Sequence, residues 1–236
     1  MPYFGYYMDY WYIILVIPAM IISIIAQVKV KSTFNKYAKV LSQRNVTGAY
    51  AAQVVLSHYG INDVRIERVN GKLSDHYDPK AKVIRLSAEV YDSASVSAIG
   101  VACHEAGHAA QHAEGYAPIR IRNSIIPVCN IGSYLGIPLA LIGLFLAMDP
   151  LIYFGIALYA GILVFHLVTL PVEFNASRRA ISVIDSTNLL CDEEIGGAKK
   201  VLSAAAMTYV AATLVALANV LRFALRILAL SGRRKN

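Results

Sequence analysis

Four long apolar runs divide the chain. The first, Tyr10 to Val28, ends on Lys29, Lys31, Lys36 and Lys39. Ile125 to Met148 and Leu151 to Pro171 are parted only by Asp149 and Pro150, which suits a tight hairpin. Ala204 to Leu221 is the fourth. About 20 apolar residues span the hydrocarbon core of a bilayer, so each run predicts a membrane helix. A cleaved signal needs a basic start, and residues 1 to 9 hold no Lys or Arg. The first helix is therefore expected to stay uncleaved with its N-terminus outside, and Tyr10, Trp11 and Tyr12 suit an aromatic belt there. The hairpin loop carries no Lys or Arg, whereas Arg120, Arg122, Arg178 and Arg179 flank the opposite ends. The positive-inside rule then puts residues 29 to 124 and 172 to 203 on the cytoplasmic side. Arg222, Arg226, Arg233, Arg234 and Lys235 conflict with simple alternation. Either the fourth helix crosses despite them, or it lies in the inner interface; a fourth crossing is the expectation, with its exit side open.

The polar stretches predict a small mixed domain. Thr47 caps a helix that Gly60 stops. Val64, Ile66 and Val69, with charges between them, read as a strand, and Gly71 as a turn. Asp75 to Lys82 reads as a polar loop. Val83 to Ser87 (VIRLS) alternates as a second strand. A helical stretch opens at Ser87 or Ser93 and runs to about Glu114.

Composition agrees with a membrane protein. Of 236 residues, 57% are hydrophobic and 16% charged, and mean hydropathy is +0.51. Soluble domains sit nearer half apolar and a quarter charged. A disordered chain, a collagen-like chain and an ordinary soluble enzyme are excluded. The formal charge of +7 belongs to basic residues flanking apolar runs, so orientation in a lipid bilayer explains it better than nucleic acid. Zinc-finger spacing, RNA-binding aromatic motifs and phosphate loops are missing, and no nucleic-acid partner is expected. Cys103, Cys129 and Cys191 show no C-x-x-C spacing and read as reduced thiols.

The chemistry sits in HEAGH, His104 to His108. Histidines at i and i+4 share one helix face and can grip one Zn²⁺ at about 2.0–2.1 Å each. Glu105 can take a proton from a zinc-activated water and pass it to the leaving amine. The competing reading is an amphipathic helix with two surface histidines. Small Ala106, Gly107, Ala109 and Ala110 would leave room for metal and substrate. Zinc needs a third protein ligand. His112 lies about 12 Å from His104 on a straight helix, too far to share one ion. A pattern with His at 114 fails, because position 114 is Glu114. Glu173, in PVEFNASRRA, lies on the same expected side as His104. Zinc bound by two His and one Glu is a known catalytic, gluzincin-like set. The competing role for Glu173 is a pair with Arg178 or Arg179.

The chain resembles the YugP-like family of neutral zinc metallopeptidases, small bacterial membrane proteins. The resemblance covers most of its length. It rests on the apolar N-terminal helix, DHYDP (Asp75 to Pro79), Leu86 and Ser87, HEAGH, and EFNAS (Glu173 to Ser177). It implies one Zn²⁺ per chain on His104, His108 and Glu173, with Glu105 as base. More distantly the chain is similar to HtpX-type membrane proteases, which carry a helical E-x-x-A-D. Ser177 stands where that pattern has Asp, so the partner of the metal-binding histidines stays open among Ser177, Asp185 and a backbone carbonyl.

The expected fold is a mainly α membrane protein: about four membrane helices with a small α+β cytoplasmic zincin-like domain. Residues 1–28 form the first membrane helix and 29–124 the metallopeptidase domain with the H-E-x-x-H helix. Residues 125–171 form the transmembrane hairpin, 172–203 a cytoplasmic segment with the third ligand, and 204–236 the last helix and basic tail. VIRLS is a candidate edge strand to which a substrate adds. His76, Tyr77, Arg178 and Arg179 are candidate donors to an oxyanion. His166 lies inside the third run, where an ionisable group invites a functional reading; a packing role is preferred. Asn130 and Ser133 read as glue between membrane helices. The expected activity is cleavage of membrane or membrane-proximal proteins at the bacterial inner membrane, with the site on the cytoplasmic side. The alternatives are a site-2-type intramembrane protease and a non-catalytic metal-binding scaffold.

Overall fold

A computed structural model describes residues 10–71, 74–146 and 148–233. Residues 1–9 and the last three of the basic tail, on which expectations about the chain's two ends rest, lie outside it. A π-type turn, α1 (Tyr12–Val16), leads into α2 (Ile17–Tyr37). Then follow α3 (Gly48–His58), β1 (Arg65–Val69), β2 (His76–Asp78), β3 (Val83–Ser87), α4 (Ala88–Tyr91) and α5 (Val96–Ala113). Three long helices complete the chain: α6 (Ala117–Phe145), α7 (Asp149–Ser186) and α8 (Asp192–Arg233). Among the described residues, four helices are long and apolar enough to cross a membrane: Tyr12–Tyr37, Ala117–Gly143, Pro150–Ser186 and Asp192–Leu225. The protein is thus mainly α, with four candidate membrane helices and one small sheet. Helix α5, which carries HEAGH, is not among the four.

The chain divides into two compact units. One draws on the described parts of Met1–Ala26 and Thr208–Asn236, with Ile121–Leu170; the other on Gln27–Arg120 and Pro171–Met207. Helix α7 exceeds the roughly 20 residues a crossing needs, and its part from Pro171 onward belongs to the second unit. The expected segment 172–203 is therefore the adjoining ends of α7 and α8, joined by a short turn.

Within the membrane unit, glycines seat α6 against α7. A Cβ on Gly132 would lie 2.5 Å from the Leu158 carbonyl oxygen, and one on Gly155 equally near Ala140 N and Gly136 O. With no hydrophobic drive between helices in lipid, such close backbone approach is what holds them. Cys129 Sγ adds a contact to the Gly161 carbonyl at 3.3 Å. Ser133 does not act as expected: its hydroxyl donates to Asn130 O within its own helix, and both residues are exposed. The glue is glycine.

In the second unit, α3, α5 and the sheet share one core, which includes Leu56, Ile84, Leu86 and Ile99. Thr47 Oγ1 accepts from Tyr50 N and starts α3; Gly60, at φ +67°, ends it as expected. Ser95 Oγ accepts from Ala98 N and starts α5. The sheet order is β1-β3-β2, with β1 parallel and β2 antiparallel to β3. Two expectations are corrected here. The stretch from Asp75 contains a strand rather than only a loop, because Tyr77 pairs with Ile84. VIRLS is the central strand, not an edge: β1 lies along its whole length and β2 along Val83–Arg85, so those residues offer no free edge to a substrate strand. Asp75 fixes the arrangement, accepting from Ser87 N at 2.7 Å and Ser87 Oγ at 3.0 Å.

Gly155 and Gly161 differ in what a methyl group would meet, since nothing lies within 4 Å of a Cβ on Gly161. Gly155→Ala is expected to destabilise the protein by about 1–3 kcal/mol through overpacking. Gly161→Ala is expected to be neutral. Thermal unfolding in detergent measures both.

Candidate metal centre

Two helix faces meet at the site. On α5, His104, Gly107, His108 and Gln111 recur at i, i+3, i+4 and i+7, one stripe of a helix. On α7, Glu173, Ala176 and Ser177 form the matching stripe. The helices touch where Gly107 lacks a side chain: a Cβ there would lie 2.8 Å from the Ala176 carbonyl oxygen. Gly107 therefore admits the neighbouring helix, rather than leaving room for substrate as the sequence suggested.

The crossing brings His104, His108 and Glu173 together. One ligand atom from each lies within 4.8 Å of the others. His104 Nε2 is 3.3 Å, and His108 Nε2 3.7 Å, from the same carboxylate oxygen, Glu173 Oε2. Donors held at about 2.0–2.1 Å on a tetrahedral ion stand about 3.3 Å apart. His108 and Glu173 are buried, and His104 is largely so.

The hydrogen bonds behind the imidazoles fix which atoms face inward. Gln111 Nε2 donates to Val172 O at 2.8 Å and to Asn175 Oδ1 at 3.0 Å. Its Oε1 must then accept, and it does so from His108 Nδ1 at 3.0 Å. With the proton on Nδ1, His108 turns Nε2 toward Glu173. Behind His104, Ser177 Oγ lies 3.1 Å from Nδ1. Arg179 extends the network, donating from Nε to Asn175 Oδ1 at 2.8 Å and pairing with Glu114 at 2.7 Å. Gln111 and Asn175 were not foreseen as site residues. The available signal was spacing, since Gln111 stands one turn beyond His108 on the same face.

The electrostatics favour a cation. Burial pushes the His108 pKa down, but bonding to Glu173 and the charges of Glu105 and Glu173 outweigh it and leave it raised. Burial opposes ionisation of Glu173, yet the two imidazoles hold its carboxyl well below the usual carboxylate range. Ionised Glu173 facing both rings draws positive charge into the space between them, as a proton on an imidazole or as a bound cation. Two nitrogens and one oxygen of this spacing fit zinc.

The other candidates go elsewhere. His112 packs its ring against Tyr77, centroids 5.8 Å apart. Burial raises the Tyr77 pKa, so it keeps its proton. His76 Nδ1 lies 2.7 Å from Ser74 O and its Nε2 3.5 Å from Arg85. His76 pairs with Arg85 and Tyr77 with Ile84, so alternation along the strand turns His76 to the face opposite Tyr77. That leaves His76 badly placed as an oxyanion donor. Arg179 is committed to Glu114 and Asn175 rather than to Glu173, and Arg178 is exposed. His166, in the other unit, is half-buried with its ring beside Phe165. Cys103, next to His104 in sequence, is fully buried in the core, and burial pushes its thiol far up.

Gln111→Leu would remove the acceptor that fixes His108. Zinc affinity is expected to fall about 10- to 100-fold, measured by competition with a chromophoric chelator.

Comparison with known proteins identifies the family. A family model described as "Putative neutral zinc metallopeptidase" matches residues 12–228. The chain is 48% identical over 225 residues to "Putative membrane protease YugP" of Bacillus subtilis (strain 168), covering 95% of this chain and 99% of that one. No solved structure matches. Matched over nearly its full length, this chain belongs to the putative neutral zinc metallopeptidase family.

Proposed function

We propose that this protein is a membrane-bound zinc endopeptidase that hydrolyses peptide bonds in membrane or membrane-proximal proteins. The observation that carries the proposal is the convergence of His104 Nε2, His108 Nε2 and Glu173 Oε2 on one buried point. These three side chains would hold one Zn²⁺ per chain. Zinc supplies Lewis acidity and lowers the pKa of water toward about 7.

The chain's own residues do the rest. Gln111 and Ser177 orient the two imidazoles from behind. Glu105 follows His104 on α5 and is half-buried beside the centre. Its carboxylate is the general base: it accepts the proton of the attacking water and delivers it to the amide nitrogen of the leaving chain. Tyr77 keeps a phenolic proton that can serve a developing oxyanion.

The substrate class follows from position in the chain. His108 precedes the apolar run at Ile125 by 17 positions, and Glu173 follows Pro171 by two. A site tethered this closely meets segments that emerge from the bilayer. The Lys and Arg distribution supports a cytoplasmic site at the bacterial plasma membrane. Helix α5 packs against α3 and the sheet, which weighs against a site-2-type arrangement within a membrane helix.

Two variants test the reading in the purified full-length protein. Glu105→Gln should retain zinc while cleavage of an unfolded protein substrate falls about 10²- to 10⁴-fold. Undiminished cleavage would end the role of Glu105; zinc binding without cleavage in the wild type would favour a scaffold. Glu173→Ala should lose zinc, read by elemental analysis, and full occupancy there would remove it from the ligand set.

A further inference from the structure

Helices α2 and α8 enclose a cleft of about 460 Å³ within the second unit. Lys29 and Lys36 of α2 and Lys199 and Lys200 of α8 line it, together with the hydroxyl residues Thr33 and Ser203. Lys29, Thr33 and Lys36 recur at i, i+4 and i+7, so they lie on one face of α2 along the cleft, with Lys36 Nζ over the Tyr37 ring at 5.7 Å. Ser203 stands three and four positions beyond the two lysines of α8, on the same side.

The cleft lining contains no Asp or Glu. Among the described residues, none of the four lysines takes part in an ion pair. The acidic residues of α8 fall in its first turn, before the cleft. Glu194 there is committed to Gln43 N and Cys191 N. Four like charges gathered in one concavity repel each other and raise a positive potential. An anion relieves it.

The two ends of the cleft differ. Tyr37 stands at the end of α2 farthest from the apolar run, and it is seated against α8 because Gly197 has no side chain. A Cβ on Gly197 would lie 2.7 Å from the Tyr37 ring. Lys29, by contrast, is the first residue after the apolar run. The lining also includes Ala204 and Met207, the latter 46% exposed, where α8 enters its own apolar stretch. The cleft is cationic with hydroxyls along its length and apolar where both helices turn lipophilic.

We propose that this cleft binds the phosphate-bearing headgroup of an anionic membrane lipid, with the lipid's apolar portion leaving past Met207. Basic pockets between membrane helices suit such headgroups. The site is separate from the metal centre and does not depend on the protein being a peptidase. Bound there, the lipid ties α2 to α8.

The test uses the full-length protein in neutral detergent, titrated calorimetrically with short-chain phosphatidylglycerol, phosphatidylcholine of equal chain length, and inorganic phosphate. Phosphatidylglycerol should bind saturably and at least tenfold more tightly than either of the others. Lys36→Gln with Lys199→Gln should weaken it about tenfold or more, as should Lys29→Gln with Lys200→Gln. Lys31→Gln with Lys39→Gln removes the same charge outside the cleft and should change it less than twofold. Zinc content and melting temperature should stay constant across the set. Equal binding of phosphatidylcholine, or equal loss in the Lys31 and Lys39 variant, overturns the site. Inorganic phosphate binding as tightly as the lipid overturns the lipid as its occupant.

Discussion

The centre depends on one close crossing of two helices. Gly107 and Ala176 let the backbones of α5 and α7 approach until a single methyl group would collide. That approach sets the distance between an imidazole stripe and a carboxylate stripe 65 to 69 residues apart in sequence (173 − 108 and 173 − 104). Side chains reach only a few ångströms, so no ligand set forms unless the main chains are already this near. The rest of the second unit serves to hold α5 still. Its apolar side is clamped by α3 and the central strand β3, while its other side faces α7.

Much of this was legible from the residues. The apolar runs gave the four long helices, because length and hydropathy are local properties. The i, i+4 histidines predicted a shared face for the same reason. Alternation in VIRLS identified β3. Its central place was hidden, because one partner is the strand His76–Asp78, whose polar residues have no strand pattern of their own. That strand exists because β3 supplies its hydrogen bonds. The continuity of α7 through Pro171 was equally opaque, since sequence reads that proline as a break.

Gln111 illustrates a different limit. In sequence it is a polar residue that argues against a membrane span. In the structure it is fully buried and every polar atom of its amide is used, two donor contacts to α7 and one acceptor contact to His108. A buried amide left short of partners would cost about 1–3 kcal/mol. Satisfied as it is, it ties the ligand helix to the helix bearing the third ligand and selects the His108 tautomer in the same act. Ser177 reaches His104 from one turn beyond Glu173, so a short hydroxyl fills the place where the HtpX-type pattern has a carboxylate. With an uncharged partner behind each imidazole, Glu173 is the single formal negative charge among these five side chains.

Cys103 occupies the position before the first histidine, yet helical geometry turns it away into the apolar core. Thiols become nucleophiles, ligands or oxidation targets only as thiolates, and this one is kept protonated by its surroundings. The strongest zinc donor in the neighbourhood is thereby removed from competition. Buried and protonated, Cys103 is shielded from oxidants that attack accessible thiolates.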